Sequence, residues 1–166
     1  MSPLSPGRLP CALVVDDEEV VVTLVEELLT DEGFRVDTAS SGAEALVKIG
    51  ARAYDLVIAD KNLPDTSGVA LVREVRSLAP DARVVVVTAY GSIESALAAL
   101  RAGASDYILK PIDDVATFLA RVRRALDGPR LDADTLERLD PDRLPDGARE
   151  ALERLRGAAD GEPVLK

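Results

Sequence analysis

Four apolar stretches of this chain each stop at a polar residue, and that pattern limits the folds open to it. Leu13-Val14-Val15 runs into Asp16-Asp17, and Leu56-Val57-Ile58-Ala59 runs into Asp60. Val84-Val85-Val86-Val87 runs into Thr88, and Tyr107-Ile108-Leu109 into Lys110-Pro111. Valine runs of this kind suit parallel strands buried on both faces. Between them lie segments with apolar residues at helical spacing, as in Val21, Val22, Val25, Leu28 and Leu29.

The alternation predicts strands over 11–15, 34–39, 54–59, 83–87 and 106–109. It predicts helices over 18–30, 41–49, 69–78, 92–101 and 115–126, with Gly33 and Gly103 as stops. Repeated strand–helix units imply a parallel sheet with helices on both faces. Right-handed crossovers then bring every strand's C-terminal end to one edge. The expected architecture is therefore a doubly wound α/β fold of flavodoxin-like (βα)5 type, its strand order 2-1-3-4-5. Its ligand crevice falls where strand order reverses, between the first and third strands. Those are the strands that end in Asp16-Asp17 and Asp60.

Composition narrows the chemistry. The chain has 166 residues, is 47% hydrophobic, and carries a net charge of −10 with no His. It is long enough to bury its own core without staples. The lack of His removes His-ligated metals and His general bases. The acidic balance argues against direct binding to a nucleic-acid backbone. The single Cys11 has no intrachain partner and reads as a small core residue, so a cytoplasmic protein is expected. No apolar run approaches the roughly 20 residues of a membrane span. The expected main domain is 8–128, followed by a linker-like extension over 129–166. That extension has Pro141 and Pro145 and two candidate short helices, 132–139 and 146–155.

Asp16, Asp17 and Asp60 gathered in one crevice would repel by several kcal/mol at intermediate dielectric. A hard divalent cation relieves this, and oxygen ligands with room for water suit Mg²⁺. Taken alone, Asp16-Asp17 reads equally well as a helix N-cap and a first-turn acid. Lys110 is one of only 4 Lys against 16 Arg, and a compact ammonium fits a crowded crevice better than a planar fork. A cis Lys110–Pro111 bond would aim it. Thr88, at its strand end, has a hydroxyl that can donate to a phosphoryl oxygen. A strand-end Asp beside a cation and an ammonium is the equipment of a phosphoryl acceptor.

These residues reach a family. Asp16-Asp17, Asp60-Lys61-Asn62-Leu63-Pro64 with Gly68, Thr88-Ala89 and Lys110-Pro111 resemble the receiver domain of two-component response regulators. The run Thr88-Ala89-Tyr90-Gly91-Ser92-Ile93-Glu94-Ser95-Ala96 and the later Gly103-Ala104-Ser105-Asp106-Tyr107 look most like NtrC-like receivers. The resemblance implies that Asp60 is the phosphoacceptor, served by a histidine kinase or a histidine phosphotransfer protein. It implies that Asp17, Asp60 and the Asn62 backbone carbonyl hold Mg²⁺, with Asp16 acting through water. It implies that Lys110 pairs with the phosphoryl group and that Thr88 and Tyr107 form a switch pair. As Thr88 moves to the phosphoryl group, the Tyr107 ring turns into the space it leaves. Asn62 and Tyr90 are placed to tune the lifetime of the phosphoryl group.

Two other functions compete. Phosphatases of the haloacid-dehalogenase type also use a strand-end Asp with Mg²⁺, but need a second acid two residues on, where this chain has Asn62. A degenerate receiver would be a plain binding module, against which the complete set of acids, Thr88 and Lys110 argues. For output, the expectation is a stand-alone receiver or phosphorelay intermediate that controls a protein target, with a phosphorylation-dependent homodimer as an option. The alternative is a piece of a longer NtrC-like transcriptional regulator.

Overall fold

The valine-rich stretches form the middle of a sheet. The computed structural model describes residues 8–89, 93–110 and 112–128. Five strands, β1 (Cys11–Val15), β2 (Arg35–Ala39), β3 (Leu56–Asp60), β4 (Arg83–Thr88) and β5 (Asp106–Leu109), pair in the order β2-β1-β3-β4-β5. Every pairing is parallel. The helices are α1 (Glu19–Asp31), α2 (Gly42–Ala51), α3 (Gly68–Leu78), α4 (Ile93–Ala102) and α5 (Val115–Asp127). The expected fold and strand order are those observed.

Strand periodicity sends alternate residues to opposite faces. Leu13, Val15, Val57, Ala59, Val84 and Val86 join a core with residues of α2, α3 and α4. Ala12, Val14, Leu56, Ile58, Val85 and Val87 join a second core with residues of α1 and α5. Each fully buried valine or leucine contributes roughly 1.5–3 kcal/mol by leaving water. Both faces of β4 are buried, which is why its sequence shows no polar alternation.

Element ends differ from the expected ones by one or two residues, and the reasons are local. Ser41 is a cap rather than a helical residue, its Oγ accepting from the Glu44 N–H at 3.1 Å. The third helix starts one residue earlier than expected, at Gly68, behind Ser67, whose Oγ accepts from the Ala70 N–H at 3.0 Å. The third strand starts at Leu56 instead of Tyr54, since its ladders with β1 and β4 both begin at Leu56; the Tyr54 hydroxyl donates to Asp37 on β2 at 2.7 Å. Gly33 closes α1 with a φ of 98°, a conformation side chains rarely adopt. Tyr90, Pro111 and the extension 129–166, with its two candidate helices, lie outside the described residues.

Candidate functional site

Register places the acids side by side. Val15 pairs with Ala59 across β1 and β3, so the next step sets Asp16 beside Asp60 at the point where strand order reverses. Asp16 and Asp60 are buried and Asp17 is exposed, and carboxylate oxygens of the three lie within 4.8 Å of one another. Neither Asp16 nor Asp17 caps α1. That position belongs to Glu18, whose own N–H donates to Asp16 Oδ1 at 2.9 Å.

Lys110 arrives from the end of β5, which is tied to β4 by the Lys110 N–H donating to the Thr88 carbonyl at 2.8 Å. Its ammonium is largely buried and donates to Asp16 Oδ2 at 2.9 Å, with Glu18 Oε1 at 3.3 Å and Asp60 Oδ1 at 3.8 Å. Burial by itself pushes the Lys110 ammonium down. The hydrogen bond and charge of Asp16, then Asp60 and Glu18, outweigh it and hold the group above its ordinary range. Burial raises the Asp60 carboxyl, and Asp16 and Asp17 add to the rise; Lys110 and an N–H from Asn62 pull the other way without cancelling it. An added cation would reverse that balance. Three carboxylates and no softer ligand form a donor set that fits a hard divalent cation.

The loop after β3 is folded back tightly. The Gly68 N–H donates to the Lys61 carbonyl at 2.7 Å, Leu63 donates to Thr66 at 3.1 Å, and Asn62 bridges to Ser67. The Asp65 carboxylate then fixes the loop to α2, accepting from the N–H groups of Gly42 at 2.8 Å and Ala43 at 2.9 Å. Asn62 is thereby held next to Asp60.

Thr88 is fully buried at the end of β4. Tyr107 is fully buried as well, and its hydroxyl shares a hydrogen bond of 2.7 Å with Ser95 Oγ on α4. The ring thus already occupies an interior position, with Ser95 satisfying its polar end. Ser95 stands in the run that resembles NtrC-like receivers, but that run assigns it no role. Arg121, an arginine on the apolar face of α5, was not singled out at all. It donates to Asp106 at 3.0 and 2.9 Å and to the Tyr107 carbonyl at 2.8 Å. The signal for Arg121 was present: it falls three residues after buried Phe118 and beside buried Val122. Glu18 was visible only as the third member of the acidic run 16–19. Tyr90 and the Lys110–Pro111 bond lie outside the described residues.

Comparison with known proteins agrees with this geometry. The sequence model of the response regulator receiver domain matches residues 12–123, more than half of the chain. The transcriptional regulatory protein ZraR of Escherichia coli O157:H7 is 41% identical over 101 residues, 61% of this chain. The chain spans only 23% of the length of that relative. A response regulator from Burkholderia pseudomallei, solved with a phosphorylated aspartic acid, calcium and citrate, superposes with a TM-score of 0.65 at 29% identity. That match covers 94% of this chain and 77% of the other. The beryllofluoride-activated NtrC4 receiver domain dimer gives 0.67 at 33% identity, covering 70% of this chain and 96% of the other. No helix among the described residues is long and apolar enough to cross a membrane. The chain belongs to the response regulator receiver domain family.

Proposed function

We propose that Asp60 accepts a phosphoryl group from a histidine kinase or histidine phosphotransfer protein, and that the resulting change is read by a protein partner. The observation that carries this reading is the setting of Asp60. It is a buried carboxylate with two further acids within 4.8 Å on one side and the Lys110 ammonium 3.8 Å from it. An Asp60 oxygen attacks phosphorus, the phosphorus–nitrogen bond of the donor imidazole breaks, and the imidazole leaves with the bond pair. Lys110 faces the place where the phosphoryl oxygens gather charge, and the Thr88 hydroxyl is the nearby donor on β4. Later attack by water returns Asp60 to its carboxylate, with Asn62 and Tyr90 as the residues set to tune that rate. This self-catalysed gain and loss of one group is not turnover of an external substrate.

Asp17, Asp60 and the Asn62 carbonyl are the groups that would hold Mg²⁺, with Asp16 acting through water. When bound, the ion neutralises phosphoryl oxygens that the acids alone would repel. The acids suit this task by type: hard oxygens, partly buried, with Asp17 open to solvent.

Output is proposed to pass through Thr88 and Tyr107 to the surface of α4, β5 and α5. A protein target fits the acidic character of the chain better than nucleic acid does. The solved NtrC4 receiver is a dimer, which supports a phosphorylation-dependent homodimer as one form of that output. We assign the phosphoacceptor unit to 8–128 and place it in the cytoplasm, where its kinase would act.

The test is incubation with acetyl phosphate and Mg²⁺, followed by intact mass and hydroxylamine sensitivity. A single acyl phosphate on the wild type, lost in Asp60→Asn, is the expected result. Wild-type protein that stays unmodified would sink the reading. Repeated turnover of phosphomonoesters would favour the phosphatase alternative, which position 62 already disfavours by holding Asn rather than an acid.

A further inference from the structure

Glu18 has no part in the roles assigned above, yet its Oε1 lies 3.3 Å from the ammonium of Lys110. It is the N-cap residue of α1, and its side chain makes no cap hydrogen bond. Ser41, Ser67 and Asp114, at the N-caps of α2, α3 and α5, each accept an N–H from their own helix. Exposed N–H groups at a helix start attract carboxylates, yet the Glu18 carboxylate makes no bond to them and lies against Lys110 instead. The backbone helps to aim it: the Glu18 N–H is bonded to Asp16 Oδ1, which keeps residues 16 and 18 around the same ammonium.

The distances rank the three acids around Lys110. Asp16 stands at 2.9 Å, Glu18 at 3.3 Å and Asp60 at 3.8 Å. The resting ammonium is therefore drawn toward the 16–18 segment and away from the carboxylate that takes the phosphoryl group. Phosphoryl transfer gathers negative charge at Asp60, and Lys110 must lean toward it to be of use. We propose that Glu18 is a positioning residue that holds Lys110 back from Asp60 and so sets the rate of phosphoryl acceptance. The inference rests on Asp60 being the acceptor. Asp16 cannot relax that hold, because it also belongs to the acid cluster. Glu18 is the member of the trio with a 60% exposed side chain, so its hold is the one that solvent and neighbours can adjust.

Removing the Glu18 charge also removes repulsion against an anionic donor, and Glu19 separates the two effects. It is exposed, sits one residue on, carries the same charge, and shows no ion pair among the described residues. The experiment measures the rate of Asp60 phosphorylation by acetyl phosphate at saturating Mg²⁺ for Glu18→Gln and Glu19→Gln, each with Lys110 intact and with Lys110→Ala. Glu18→Gln is expected to be roughly two- to fivefold faster than Glu19→Gln, the range spanned by exposed ion pairs, and the gain should vanish with Lys110→Ala. In the metal-free protein, the ¹⁵N resonance of the Lys110 ammonium should shift with Glu18→Gln and stay put with Glu19→Gln. Equal rates for the two variants, a gain that survives Lys110→Ala, or an unmoved Lys110 resonance overturns the inference. A wild-type chain with no adduct on Asp60 overturns the acceptor assignment instead, while the resonance still decides whether Glu18 holds Lys110.

Discussion

Gly68 lies where the chain crosses beneath Asp60, and nothing larger fits. A Cβ there would come within 2.5 Å of the Asp60 carbonyl oxygen and 2.9 Å of Lys61 Cα, both of them backbone. Gly68→Ala should therefore push the Asp60–Lys61 peptide out of place. The expected outcome is a loss of ten-fold or more in acetyl-phosphate labelling, on the order of what small misplacements cost, with a lowered thermal midpoint. An unchanged labelling rate would show that the loop can shift without moving the carboxylate. Asp16, Asp60 and Lys110 were legible because strand ends have only one edge to meet at. Glu18 was not, since an exposed acid at a helix start looks like solvated charge until its distance to Lys110 is known. Ser95 stayed hidden for a similar reason: its partner Tyr107 is twelve positions away and on another element.

At the scale of elements, α2 and the loop after β3 are coupled through Asp65. The N–H groups of Gly42 and then Ala43 hold the Asp65 carboxyl below its usual range. A carboxyl depressed by folding adds stability once it is ionised. That contribution is present above the unfolded value of about 3.9 and disappears as pH falls through the lower folded one. Asp65→Ala should thus lower the denaturation midpoint at neutral pH, with the gap to wild type closing toward the acid limit of the fold. Denaturant titrations across that span measure it, and a gap that stays constant with pH would mean that the carboxylate charge is not what binds the loop. Helices and strands were legible from their periods because packing on the sheet demands those periods. Their exact ends were not, since a cap such as Ser41 looks helical in a pattern that only counts apolar residues.

Across the described residues, the two apolar cores and the acid cluster occupy different places. Leu71 is fully buried in the core formed with α2, α3 and α4. Leu71→Ala should cost about 2–5 kcal/mol in chemical denaturation, while the protein that remains folded still labels on Asp60 at a near-normal rate. A collapse of labelling in step with stability would show instead that the core governs the site. The fold was legible nearly in full because five strand signals and their spacers leave few topologies open. The buried Asp106–Arg121 pair was the part that periodicity missed, since an arginine among apolar neighbours breaks the expected pattern.

Asp16, Glu18, Asp60 and Lys110 stand at or beyond strand ends and in neither apolar core, so the rim around them can change while the packed layers stay as they are. Glu18, with its 60% exposed side chain, can be exchanged in a duplicated copy without touching either core. Copies of this chain altered at such rim positions would part in chemistry before they parted in shape.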